Sequence, residues 1–224
     1  MTLEAYLPAL LAPPRSGTRC RGPRACHRLD FRVCGPVVVA TSEEAMRAIK
    51  RSFEERMVSK EYRAIVCGAP GKVGEAFTLD APLDGENAQT GVKVLRSAPC
   101  PHFGVICELA LMPITGRHQQ LRRHCAKVLG TPIVNEERAL FEAATPEWQR
   151  RTGSPLPPYV TRGGGSLFLQ AVRVAVPPPR GGGGEAVSVC ADVSDRFERL
   201  MRTSTRAWQE GWRMDDQGQT YRVG

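Results

Sequence analysis

A chain of 224 residues is long enough to bury one sizeable core, so one domain is expected, with two small ones as the alternative. Hydrophobic residues make up 42% and charged residues 24%, which excludes a disordered chain, and no apolar run approaches the ~20 residues of a membrane span. The formal net charge of +8 favours a polyanionic partner such as RNA or DNA; a basic surface with no dedicated partner is the plain alternative.

The charge distribution sharpens that choice. Between Arg15 and Arg28 there are five arginines and no acid. Between Leu109 and Asn135 there are three arginines, one lysine, two histidines and no acid. Eight cysteines are scattered singly, with no C-x-x-C pair, which predicts reduced thiols of an intracellular protein and no metal. No basic secretory start precedes the short apolar run at Leu7 to Pro13. Cytoplasm and organelle both stay open, and a monomer is expected.

In chain order, residues 1–25 read as a basic approach segment. Val37, Val38 and Val39 form a β-branched run and predict a buried strand from Gly35 to Ala40. Thr41 then caps a helix with Glu44 closing a capping box, and Ala45, Ile49, Phe53 and Met57 form its apolar stripe up to about Val58. Strands are predicted at Tyr62 to Cys67, Phe77 to Leu79, Val92 to Leu95 and Gly104 to Met112.

A helix follows, with Leu121, Cys125 and Val128 inward and Arg122, Arg123 and Lys127 on its polar face, ended by Gly130 and Pro132. Residues 141–165 read as a surface insertion. Leu167 to Val176 and Ala186 to Cys190 make a hairpin around a glycine-rich turn at Arg180 to Gly184, and Asp195 to Arg202 a short closing helix. The tail from Thr203 is polar and peripheral. This predicts an α+β domain over 26–202, a mixed and mostly antiparallel sheet flanked by a few helices.

Asp30 lies in His27-Arg28-Leu29-Asp30, inside the first basic block. An arginine beside a carboxylate keeps it ionised, and an ionised aspartate in a dry site is a competent nucleophile; a turn aspartate is the plain alternative. Tyr62 opens a strand, where packing is the commoner role, but a tyrosine there can also stack on a base and move a proton. Arg117 follows Gly116, which permits a sharp turn, and its guanidinium suits either a phosphate or an ion pair with Asp30. Lys60 is a candidate phosphate contact.

These motifs together resemble the RluA-type family of RNA pseudouridine synthases. They are His-Arg-Leu-Asp with a following glycine and valine-rich strand, Lys60-Glu61-Tyr62-Arg63-Ala64, Thr-Gly-Arg-x-x-Gln-Leu-Arg from Thr115 to Arg122, and Gly130-Thr131-Pro132-Ile133. Leu167 to Ala171 looks like the family's late strand.

The resemblance implies isomerisation of uridine to pseudouridine in rRNA, tRNA or organellar RNA, without cofactor or metal. Asp30 would be the essential carboxylate and Tyr62 the ring on the flipped base and proton acceptor. Arg117 would pair with Asp30, and Arg28 would help hold the flipped base. Arg28, Lys60, Arg122, Arg123 and Lys127 would bind RNA. Val33-Cys34-Gly35 stands where the family usually has Thr-Ser-Gly, Asn135-Glu136 where it has Gly-Asp, Gln170 where a histidine is common, and the family's first strand has no counterpart. A non-catalytic RNA-binding relative acting in ribosome assembly is therefore the alternative.

Overall fold

The computed structural model describes residues 3–13, 17–160, 165–178, 185–215 and 217–223. The chain forms two compact units, one from residues 1–60 with 171–191, the other from 61–170 with 192–224. The glycine-rich turn expected at 180–184 lies outside the described residues.

In the first unit, helix α1 (Leu3–Leu10) buries Leu7, and strand β1 (Arg19–Ala25) pairs antiparallel with β2 (Val39–Ser42) across a bulge. The basic approach segment thus supplies a strand. Helix α2 (Glu43–Glu54) starts one residue later than expected. Strand β2 continues through Ser42, and the cap is Ser42, whose Oγ accepts the Ala45 N–H at 3.3 Å. The Glu44 carboxylate turns away to accept the Thr18 N–H at 3.0 Å. The helix stops at Glu54, and Arg56 takes a left-handed φ of +58°.

Val58, Val174 and Val176 form the core of this unit, with Val38, Ile49 and Phe53 packed against them. The two later valines come from β7 (Leu169–Val176), which forms a hairpin with β8 (Val187–Cys190).

Gly35 shows why a glycine follows the aspartate motif. Its φ is +140°, and a Cβ there would lie 2.3 Å from the Ala171 carbonyl oxygen. The approach is fixed by the Ala171 N–H, which donates to the Cys34 carbonyl at 2.8 Å. Gly35→Ala is expected to destabilise the fold by about 2 kcal/mol or more, from backbone strain and overlap together. Thermal denaturation checks this, and an unchanged midpoint would rule out the close approach.

The second unit is built on antiparallel strands β3 (Ser59–Cys67, from Glu61 onward in this unit), β4 (Ala76–Asp80), β5 (Gln89–Cys100) and β6 (Gly104–Pro113), in the order β4-β5-β6-β3. Strand β6 is central and covered on both faces. Cys107, Leu109 and Leu111 are buried on one side, Ile106, Glu108 and Ala110 on the other. Beyond β3 the segment Pro132–Val134 closes the edge, with the Cys67 N–H donating to Pro132 O and the Val134 N–H to Ile65 O, each at 2.8 Å.

After β6 come a single α-turn, α3 (Gln120–Arg123), and a π-helix, His124–Val128. Residues 141–160 hold more than a surface loop. Helices α4 (Arg138–Glu142) and α5 (Thr145–Thr152) seat Phe141 and Trp148 in the core. Helix α6 (Asp195–Gln209) runs a further two turns past Arg202, because Ser204 continues the buried face of Phe197 and Met201. A small hairpin, β9 (Trp212–Met214) with β10 (Thr220–Arg222), takes up the tail. Among the described residues no helix is long and apolar enough to cross a membrane, and no cluster is placed to bind a metal.

Candidate active site

Asp30, Arg28 and Lys60 belong to the first unit. His27 anchors their segment. Its Nε2 accepts the Val38 N–H at 3.0 Å, and its ring packs on Phe53 with centroids 5.1 Å apart. Burial pushes its pKa down; a hydrogen bond to the Arg28 backbone opposes this and Lys60 adds to it. An imidazole accepting at Nε2 is neutral, so His27 fixes the motif and brings it no charge.

Three residues on, Asp30 is partly buried, and its carbonyl accepts the Val33 N–H at 3.0 Å. Residues 30–33 therefore close a tight turn, with Arg32 at φ +70°. Arg28 is exposed. Lys60 is partly buried, its ammonium 5.7 Å from the Phe53 ring centre, and burial lowers its pKa.

Tyr62, Arg117, Arg122, Arg123 and Lys127 belong to the second unit. Tyr62 stands opposite Leu111 on the β3–β6 ladder and is partly buried. Arg117 sits in the turn after β6 and is clamped by the β4–β5 loop. Its Nε donates to the Asn87 carbonyl at 2.9 Å, and its guanidinium pairs with Glu86.

A relay of hydrogen bonds holds the backbone beneath it. Gln120 Oε1 accepts from the Arg117 N–H at 3.0 Å and from Thr115 Oγ1 at 2.6 Å, while Gln120 Nε2 donates to Gln89 O at 2.8 Å and Thr90 Oγ1 at 2.9 Å. His124 ends the relay, with Nδ1 3.0 Å from Thr90 Oγ1 and Nε2 3.1 Å from the Ala81 carbonyl. Thr115 and Gln120, shared with the family motif, are thus the scaffold of Arg117. The sharp bend falls on Gln119, at φ +49°, instead of Gly116.

The polar helix face needs correction. Arg122 is 1% exposed and Glu136 is 0%. The Arg122 guanidinium meets the Glu136 carboxylate at 2.5, 3.0 and 3.1 Å, so it is not available to RNA. Burial opposes its charge, yet Glu136 more than offsets this and its pKa is raised. Arg123 forms a two-pronged pair with Asp84 at 2.6 and 2.7 Å, which holds the Asp84 carboxyl below its usual range. Lys127 alone of the three is exposed.

The departures from the family pattern have local explanations. Asn135 adopts φ +66°, the region a glycine fills freely and asparagine tolerates, and Glu136 supplies the acid. Gln170 is buried, donating to Asp192 O at 2.7 Å and accepting the Ser194 N–H at 2.9 Å, which secures the start of α6. Sequence reasoning missed Glu86, and it marked Glu136 only as standing where the family has an aspartate, without its pairing to Arg122.

A separate cleft of about 430 Å³ lies on the face of the sheet opposite Tyr62, lined by Arg63, Arg96 and Glu108 below α6. Its cations are matched internally: Arg96 meets Glu108 and Glu198 at 2.6 Å each, and Arg63 meets Glu61 at 3.4 Å. That balance makes it a poor phosphate site.

The family model described as RNA pseudouridylate synthase matches residues 4–127. The dual-specificity RNA pseudouridine synthase RluA of Escherichia coli K12 is 36% identical over 123 residues, covering 49% of this chain and 54% of that protein. The mitochondrial RNA pseudouridine synthase 4 of Arabidopsis thaliana is 29% identical over 161 residues, covering 56% and 32%. The chain therefore spans about half the length of the bacterial relative and about a third of the plant one. Among solved structures, human RNA pseudouridylate synthase domain containing 4 superposes with a TM-score of 0.56 at 21% identity, over 83% of this chain and 76% of that one, which shows a shared fold.

Proposed function

The chain belongs to the RNA pseudouridylate synthase family, and on that premise we propose that it isomerises a uridine to pseudouridine in structured RNA. The observation that carries this is the span of the family match. Residues 4–127 include Asp30, Tyr62 and Arg117 together, each in its own motif. Asp30 is the essential carboxylate. The N1–C1′ bond of the uridine breaks, the base turns and a C5–C1′ bond forms; the C5 proton passes to Tyr62 and N1 takes up a proton from solvent, so that product and substrate are isomers. The change is redox-neutral and calls for no cofactor. Flipping the uridine out costs a few kcal/mol, which stacking and phosphate contacts offset.

Exposed Arg28 and Lys127 are the proposed phosphate contacts, with partly buried Lys60 and Arg123 as further candidates. The family's RNAs are the substrate class, rRNA, tRNA or organellar RNA, and the plant relative's name favours an organelle as the compartment to examine first.

Arg117 is proposed to exchange partners when RNA arrives. Its pair with Glu86 is largely exposed and contributes little to stability. Glu86→Gln removes a competing carboxylate and is expected to tighten RNA binding about two- to fivefold at low salt, with the melting temperature unchanged. Weaker binding by this variant would sink the exchange.

The second reading, RNA binding without catalysis, is favoured by one observation: Val33 and Cys34 replace two hydroxyls beside Asp30. Incubating the protein with rRNA and tRNA and mapping pseudouridine base by base separates the two. New pseudouridine at a defined site supports the synthase. RNA binding that weakens steeply with salt, with no new pseudouridine in any of these RNAs, supports the second reading.

A further inference from the structure

We infer that Phe31 is a stacking residue for RNA, its ring taking the face of a nucleobase beside the nucleotide presented to Asp30. This deepens the reading above and rests on RNA being the partner.

Phe31 is 81% exposed, the highest value among the exposed large hydrophobic side chains of the described residues. Chain geometry puts it there. The Val33 N–H to Asp30 O bond closes the turn, and Arg32 at φ +70° completes it, so Phe31 occupies the outer corner. A non-glycine residue at positive φ is uncommon and costs stability. The turn thus accepts backbone strain while holding an aromatic ring in water, where it forgoes the burial that normally stabilises phenylalanine. Both features are unfavourable for folding alone, and a ligand that covers the ring reverses the second.

The surroundings select a base over an apolar protein surface. From Arg15 to Ser42 the chain carries six arginines and one acid, Asp30 itself. In the sequence Arg28, which is exposed, lies three residues before Phe31, and Arg32, partly buried, follows it directly. Protein interfaces deplete charge around their aromatic anchors. An aromatic ring flanked by guanidinium groups suits a nucleobase between two phosphates, the ring taking the π-face and the cations the backbone. Because Phe31 is bonded to Asp30, the two Cα atoms are ~3.8 Å apart, so the stacked base neighbours the reacting nucleotide.

The test uses the full chain with Asp30→Ala as background, so that no chemistry accompanies binding. The probe is a labelled RNA hairpin with unpaired uridines in its loop. Phe31→Ala is expected to raise Kd at least about fivefold, with the salt slope and the melting temperature unchanged. Phe31→Trp is expected to restore affinity and to add fluorescence that the RNA quenches beyond the wild-type tryptophan signal. The inference is overturned if Phe31→Ala binds like the parent, if it lowers the melting temperature, or if the introduced tryptophan is not quenched. The synthase reading fails separately: no pseudouridine from the protein with Asp30 intact, together with intact stacking in the Asp30→Ala background, would leave Phe31 as an RNA contact on a non-catalytic protein.

Discussion

Arg122→Met is expected to lower stability by about 3–5 kcal/mol, because it leaves the Glu136 carboxylate buried without its counter-charge. For a chain of this size that corresponds to a fall in melting temperature on the order of 6–20 °C. The carboxylate has one other bond, from the Glu137 N–H at 2.8 Å, and Glu137 itself approaches Arg122 at 3.2 Å from an exposed position. Neither replaces the guanidinium. Glu136→Gln keeps an acceptor for the Glu137 N–H but strands the arginine, so a loss of similar size is expected. Combining Arg122→Met with Glu136→Gln should recover much of it, since neutralising both partners removes the charge that has nowhere to go. Melting curves of the four proteins give the coupling directly. A single variant melting within ~2 °C of wild type would deny the pair its role. RNA titrations add a second reading. Losing Arg122 should leave the salt slope unchanged, whereas Lys127→Ala should reduce it by about one unit.

That pair also marks where sequence reasoning ran out. Leu121, Cys125 and Val128 predicted one buried stripe, and a regular helix would then turn Arg122 outward. The π-helix from His124, with the Leu129 N–H reaching back to the His124 carbonyl at 3.0 Å, shifts the later side chains off that wheel. The acid that buries Arg122 comes fourteen residues later. Local spacing reports neither. Strands were more legible, because β3, β6 and β7 each carry a buried stretch rich in apolar residues, Ala64–Cys67, Ile106–Leu111 and Leu169–Val172. The capping signal at Thr41 was real but one residue off: β2 runs on to Ser42, and that serine carries the cap. The division into two units was not legible, because each is assembled from distant stretches of chain.

For the candidate site the same contrast holds. Motifs located Asp30, Tyr62 and Arg117, since each stands in a short run of distinctive residues. They gave no account of Glu86 and Asn87, which clamp the Arg117 side chain. Those contacts come from a loop about thirty residues upstream, brought close only by the β5–β6 ladder.

Asp30→Ala is expected to abolish pseudouridine formation, by at least about 10³-fold, while leaving RNA binding equal or slightly tighter. The asymmetry follows from charge. The aspartate is the sole acid between Arg15 and Ser42, so removing it makes that stretch more attractive to phosphate. It also lies in a turn closed by its own carbonyl and the Val33 N–H, backbone groups that alanine retains, so the fold should survive. Asp30→Asn serves as the isosteric partner: it keeps the shape, loses the charged carboxylate, and should be as inactive as alanine. Conversion of a mapped uridine, filter binding and melting temperature are measured on the same preparations. If Asp30→Asn retains even a tenth of wild-type conversion, the carboxylate is not the group that starts the chemistry, and the assignment moves to another side chain. If wild type and both variants bind RNA alike and none makes pseudouridine, the chain is an RNA-binding member of its family, and the arginines around Asp30 serve binding alone.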